Sequence, residues 1–133
     1  MRRRLLGMFV AAAGLLAASA PAAAHHGAAT FATGEEVTLK GVVTEWIWAN
    51  PHCFLKFEVK DAAGAVKQWA VETQNPVAMA SRGWSFRSFK AGDIVTVKLE
   101  PVKNGSPVGR ILSVVLPSGD TLFAVGGPAG SAQ

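Results

Sequence analysis

Residues 37–48 read Val-Thr-Leu-Lys-Gly-Val-Val-Thr-Glu-Trp-Ile-Trp, and this stretch decides the fold. β-Branched and aromatic residues dominate it and alternate with polar residues at its start, which predicts a β-strand. Gly41 interrupts the strand, and a glycine there indicates a β-bulge that bends it. A long, bent first strand is typical of a small barrel, because a single bent strand can form part of both sides of the barrel.

Further strands and one short helix follow the bent strand. Between the third and fourth strands, Asn75 can cap a helix that begins at Pro76 and ends near Gly83. We expect the aromatic side chains after this helix to close over the core: Trp84, Phe86 and Phe89. The second strand should turn one apolar row inward, formed by Cys53, Leu55, Phe57 and Val59. The later strands are predicted at residues 52–60, 66–73, 94–100, 110–116 and 121–125.

Three strands, a helix and two strands is the element order of the OB-fold, a five-stranded Greek-key barrel. A small β-sandwich is the alternative, and it would not require a helix after the third strand. The sequence therefore predicts an all-β, OB-fold-like barrel of five to six strands with one short helix after the third strand.

The first 24 residues have the features of a cleaved secretory signal. Arg2-Arg3-Arg4 precedes a short apolar run, and Ala22 and Ala24 suit the small-residue positions of the cleavage site. The arginines also loosely resemble a twin-arginine signal, although the general export route fits better. We expect a periplasmic or secreted protein that begins at His25. The predicted division is a signal peptide at 1–24, an OB-like domain at 25–125 and a disordered tail at 126–133.

The exported chain is nearly neutral in charge. The signal holds three of the 13 Lys and Arg residues, which leaves 10 against 9 Asp and Glu. Such a domain lacks the basic footprint of a nucleic-acid-binding protein. We expect no nucleic acid and no membrane contact after cleavage, and the candidate partners are a periplasmic protein or a small ligand. Cys53 is the single cysteine, and its place in the inward row predicts a buried apolar residue rather than a nucleophile.

Three histidines, His25, His26 and His52, carry the functional hypothesis. A free N-terminal His25 offers its α-amine and its imidazole to one ion, and His26 or His52 would add a third nitrogen. Nitrogen donors of this kind suit Cu(II), Zn(II) and Ni(II), and Cu(II) stands highest in the affinity order. We therefore predict a divalent-metal site, with Cu(II) as the favoured ion. The alternative interpretation is that the His25-His26 pair is exposed and has no function, and that His52 is an ordinary surface residue.

The cleavage position changes the predicted chemistry. A chain beginning at Ala24 would place histidine third, where backbone amides complete a Cu(II) or Ni(II) chelate that needs no fold. The second functional hypothesis is a metal-independent binding module for a peptide, glycan or protein partner that uses Trp46 and Trp48. The tryptophan pattern favours packing instead, since Trp69 shares a face with Val71.

No paired carboxylates, phosphate loop or serine elbow occur, so catalysis is disfavoured. An oxidative copper enzyme of the N-terminal histidine type is the third hypothesis.

Three features occur together: Ala24-His25-His26-Gly27, then Val37-Thr-Leu-Lys-Gly-Val-Val43 with Trp48-Ala49-Asn50-Pro51-His52, and Lys90-Ala91-Gly92-Asp93. With them, the chain resembles domain-of-unknown-function family 6152, a group of small exported bacterial proteins, from His25 to about Phe123. The His-His pair and the Asn-Pro-His turn are the marked features of that family. The resemblance implies an exported β-barrel and carries no established activity.

Overall fold

The computed structural model describes residues 30–127 and is built from short strands with one small helix. His25, His26, the predicted signal peptide and the tail from residue 128 onward lie outside the described residues. The type and order of the elements confirm the all-β prediction. The elements are β1 Val37–Ile47, β2 Phe54–Lys60, β3 Val66–Glu72, α1 Pro76–Ala80, β4 Ile94–Pro101, β5 Val108–Val115 and β6 Thr121–Phe123.

The strands close into a barrel. Antiparallel pairing runs in the order β3-β2-β1-β4-β5, and a parallel pairing between β3 and β5 joins the two ends. Ala70 to Glu72 form this seam with Val108 to Arg110. The strand order and the helix after β3 match the OB-fold and confirm that expectation. β6 is an extra strand that pairs antiparallel with β5.

β1 bends because its two halves pair with different neighbours. Residues 37–42 pair with β4, and residues 42–47 pair with β2. The prediction of a bulge at Gly41 is wrong: the register shift lies between Val43 and Glu45. Gly41 serves a different purpose, because a Cβ there would lie 2.8 Å from Phe57 Cδ2 and still closer to the Glu58 carbonyl oxygen. Only a residue without a side chain lets β1 and β2 approach this closely.

The inward row of β2 forms the centre of the core, as predicted. Cys53, Leu55 and Phe57 are fully buried. Trp84 and Phe89 close over this core, whereas the prediction for Phe86 is wrong, because its side chain is 61% exposed. Phe86 lies in a tight turn in which Ser88 N–H donates to the Ser85 carbonyl at 3.1 Å, and the turn directs the ring outward against Arg87.

The helix begins as the sequence predicts. The Asn75 side chain accepts a hydrogen bond from Ala78 N–H at 3.0 Å, and Pro76 occupies the first turn. Met79 is fully buried and packs α1 against the core. Within residues 30–127, no helix has the length and apolar character needed to cross a membrane.

Candidate functional site

His52 lies on the outer surface of the barrel, next to the first residues of β2. Backbone hydrogen bonds extend the pairing of β2 and β3 past their ends: Thr73 N–H donates to Cys53 O at 2.9 Å, and Cys53 N–H donates to Gln74 O at 3.1 Å. Because side chains alternate along an extended chain, Cys53 points inward and His52 points outward. The His52 side chain is 48% exposed, so its predicted separation from the apolar row is correct.

Glu72, the last residue of β3, faces the same side as His52. Its Oε2 atom lies 3.4 Å from His52 Nδ1, and its side chain is 27% exposed. Carboxylates in this position commonly orient a histidine ring.

A pocket of about 200 Å³ opens beside this pair at the seam of the barrel. Arg110 of β5 forms part of its wall, because the parallel pairing places Arg110 opposite Glu72. Phe31 also lines the pocket, and this brings the N-terminal part of the chain to His52. The remaining lining residues are Thr73, Gln74, Ile111, Ala124 and Val125.

Glu100 of β4 connects the chain before β1 to Arg110 of the barrel wall. Its carboxylate is buried and accepts hydrogen bonds from Gly34 N–H at 3.0 Å and from Arg110 Nε. The Gly34 amide first, and the Arg110 guanidinium second, hold the pKa of the Glu100 carboxyl below its usual value. The Arg110 guanidinium also lies over the Phe31 ring, 5.2 Å from its centroid.

Sequence reasoning missed Glu72, Glu100 and Arg110. Alternation after Val95, Val97 and Leu99 predicts that Glu100 points to the outer side of β4. It is nevertheless buried, and its carboxylate is contacted by Gly34 N–H and Arg110 Nε. Long-range pairing brings Glu72 and Arg110 together, and spacing along the chain carries no sign of it.

Of the three predicted metal ligands, only His52 lies within the described residues. Within residues 30–127, no group of three or more His, Cys, Asp or Glu side chains converges on one point. The described part of the chain therefore brings two candidate donors together here, His52 and Glu72. His25 and His26 lie outside the described residues. Cys53 is fully buried, and burial raises the pKa of its thiol, which agrees with the predicted apolar role.

The tryptophans pack rather than form an open platform. Trp84 is buried and its Nε1–H donates to the Phe123 carbonyl at 3.0 Å. Trp46 contacts Phe89 edge-on, with 4.9 Å between ring centroids, and its Nε1–H donates to Ser85 O at 3.0 Å. Both indole groups therefore use their polar atoms within the fold.

One protein-family model matches residues 12–111 of the chain, and its description is a family of unknown function, DUF6152. The match covers about three quarters of the sequence and includes the bent strand, the Asn50-Pro51-His52 turn and Glu100. A comparison with curated proteins gave no match.

Proposed function

Since the chain belongs to DUF6152, a family of unknown function, we propose that it acts as an exported, periplasmic barrel that binds a divalent metal ion. Cu(II) is the favoured ion, and the ligands are the mature N-terminal His25 together with His52. One observation carries the proposal: Phe31 and His52 line the same pocket. Phe31, which follows His26 by five residues, therefore lies beside the same pocket as His52.

The length of chain before Phe31 supports this arrangement. His26 is five residues from Phe31, and His25 is six. An extended chain spans at most about 3.3–3.6 Å per residue, so six residues reach about 20 Å. A tether this short keeps the terminal nitrogens near His52 at an effective concentration in the millimolar range. Binding at one site then raises the affinity at the other.

The donor set determines which ion fits. The free α-amine and the imidazole of His25 chelate one ion, and His52 Nε2 adds a third nitrogen, with His26 as the competing donor. Glu72 holds the opposite side of the His52 ring, as carboxylates commonly do for metal-bound histidines. Neutral nitrogen donors favour Cu(II) among the divalent ions. The role that we propose is copper handling or storage rather than catalysis.

The test uses the exported protein, purified without a tag at its N-terminus. Intact mass with and without Cu(II) identifies the first residue and the stoichiometry, and we expect His25 and one ion. Competition titration then compares the wild type with His52→Ala. We expect at least tenfold weaker binding for His52→Ala, and no change for Lys60→Ala, an exposed residue of β2.

Glu72→Gln tests whether the carboxylate beside His52 supports metal binding. Loss of such a carboxylate partner commonly weakens metal binding by about 10–100-fold. Equal affinity of the wild type and His52→Ala would overturn the proposal, because the barrel would then take no part in the site. That outcome, with a mass beginning at Ala24, would identify the chelate that needs no fold.

A further inference from the structure

We infer that a second cleft, between the first half of β1 and the β2–β3 hairpin, binds a small anionic ligand with a flat apolar body, namely an aromatic carboxylate. In this hairpin cleft, Trp69 supplies the packing surface and Lys67 supplies the positive charge. The hairpin cleft shares no lining residue with the pocket beside His52, so the inference does not depend on the proposed function.

The hairpin cleft exists because β1 and β2 diverge. The two strands pair only from Val42 onward, where Val42 lies opposite Glu58. The preceding residues 37–41 pair with β4, and the last two residues of β2 pair with β3. A space of about 270 Å³ lies where the strands separate. Its apolar walls include Leu39, Val59 and Val66, and its other lining residues include Asp61, Lys67 and Trp69.

Strand register places Lys67 and Trp69 on the inner face of the hairpin. Trp69 lies opposite Phe57, which is fully buried, and Lys67 lies opposite Val59, which packs against the core. Directly opposed residues of antiparallel strands project from the same face of the sheet. Lys67 therefore occupies a position where alternation predicts an apolar residue, although its side chain is exposed. A positive charge thus lies beside the apolar walls of the cleft.

The two hydrogen-bond donors of the cleft are available to a ligand. Trp46 and Trp84 donate their indole N–H groups to backbone carbonyls, whereas within residues 30–127 the Trp69 Nε1–H makes no such bond. No buried side-chain nitrogen of this part of the chain lacks a partner, so the Trp69 Nε1–H reaches solvent. Lys67 forms no ion pair with a carboxylate of the same residues.

Asp61, the acidic residue of the lining, is used by the turn between β2 and β3. Its Oδ1 atom accepts hydrogen bonds from Ala63 N–H and Ala65 N–H, both at 2.9 Å. Backbone amides that donate to a carboxylate stabilise its negative charge in place. Of the two charged residues in the lining, Lys67 is therefore the one left to pair with a ligand.

The size and the donors of the cleft determine the class of ligand. Pockets for drug-sized molecules enclose about 300–1,000 Å³, so a cleft of about 270 Å³ suits a single ring. An aromatic ring can stack on the Trp69 indole, and a carboxylate can accept a charge-assisted hydrogen bond from Lys67 Nζ. A cationic ring is repelled by Lys67, and a neutral ring lacks the charge-assisted bond. Benzoate is the simplest molecule with the required groups.

The test follows the indole N–H resonances of the exported, ¹⁵N-labelled protein by nuclear magnetic resonance. The chain has four tryptophans, and Trp69→Phe identifies the resonance of Trp69. Benzoate, benzyl alcohol and benzylamine are titrated separately. We expect benzoate to shift the Trp69 resonance saturably in the millimolar range, the strength open to a ligand this small. Benzyl alcohol should bind about three- to fivefold more weakly, the loss expected of an exposed ion pair, and benzylamine more weakly still.

The decisive variant is Lys67→Gln, compared with Lys103→Gln, which removes an exposed lysine outside the cleft. Lys67→Gln should weaken benzoate binding to the level of benzyl alcohol. Lys67→Arg should keep the preference for benzoate, and Lys103→Gln should match the wild type.

Three outcomes would overturn the inference. The first is a benzoate shift at Trp69 that does not saturate, which indicates non-specific contact only. The second is saturable binding that shifts other indole resonances and leaves Trp69 unchanged, because the ligand then lies elsewhere. The third is equal affinity for benzoate and benzyl alcohol, or benzoate binding that Lys67→Gln does not weaken, because Lys67 then selects no charge.

Discussion

Replacing the buried Gly41 by alanine should destabilise the barrel more than alanine substitutions at the exposed positions of β1. The added Cβ would lie 2.8 Å from Phe57 Cδ2 and closer still to the backbone oxygen of Glu58. The Phe57 ring is fully buried and the Glu58 oxygen belongs to the β2 backbone, so neither can move without disturbing the core. Overpacking of this kind costs about 1–3 kcal/mol, and a clash with backbone places the cost near about 3 kcal/mol.

The assay is thermal and urea unfolding of the exported protein, followed by far-ultraviolet circular dichroism. For a domain of this size, each kcal/mol lowers Tm by about 4–8 °C, so Gly41→Ala should lower Tm by roughly 10–25 °C. Lys40→Ala, at the neighbouring exposed position, is the control and should stay within about 0.5 kcal/mol of the wild type. A Gly41→Ala protein that melts within a few degrees of the wild type would refute the close approach of β1 and β2.

Three further predictions concern buried groups. The lowered pKa of the Glu100 carboxyl stabilises the fold at neutral pH, and this contribution is lost as the pH falls through the folded-state pKa. The difference in unfolding free energy between the wild type and Glu100→Gln should therefore shrink below about pH 4.3. A constant difference in urea titrations from pH 7 to 3 would contradict this prediction. The buried Cys53 thiol, whose pKa burial raises, should react slowly with a thiol reagent in the native protein and rapidly in urea; equal rates would place it at the surface. Trp84→Phe leaves the Phe123 carbonyl without its donor and should cost about 1–3 kcal/mol in denaturant unfolding, whereas a cost below about 0.5 kcal/mol would show that the hydrogen bond contributes little.

Local signals in the sequence were sufficient for the elements of the fold. Asn75 and Pro76 marked the start of the helix, and the alternation after His52 gave the correct inward row of β2. These patterns depend on contacts within a few residues or on the period of a strand, and both are visible along the chain. The order of the elements then restricted the architecture to very few topologies.

Two local expectations failed for physical reasons. Gly41 indicated the bend in β1, but the register shift occurs at Thr44, because a glycine can permit close strand approach as well as a bulge. Phe86 is apolar, yet a tight turn held by Ser85 and Ser88 directs it to solvent. In both positions, backbone geometry outweighed the preference of the side chain.

The candidate site was predictable only in the part that His52 supplies. Its outward direction followed from alternation, whereas its neighbours Glu72 and Arg110 come from strands that meet through the parallel closure of the barrel. Pairing between β3 and β5 connects positions almost forty residues apart, and no pattern in either strand specifies the partner. The hydrogen bond from Gly34 N–H to the Glu100 carboxylate spans 66 residues and was hidden for the same reason.

The seam between β3 and β5 gives the barrel an uneven resistance to opening. It consists of three residue pairs, whereas β2 and β3 are joined along seven. Local opening starts where the fewest interactions must break, so the barrel should open first along the seam between β3 and β5. The pocket beside His52 lies at the same place, and so the residues that line it should be among the first of the wall to exchange with solvent, while the remainder of the wall stays folded.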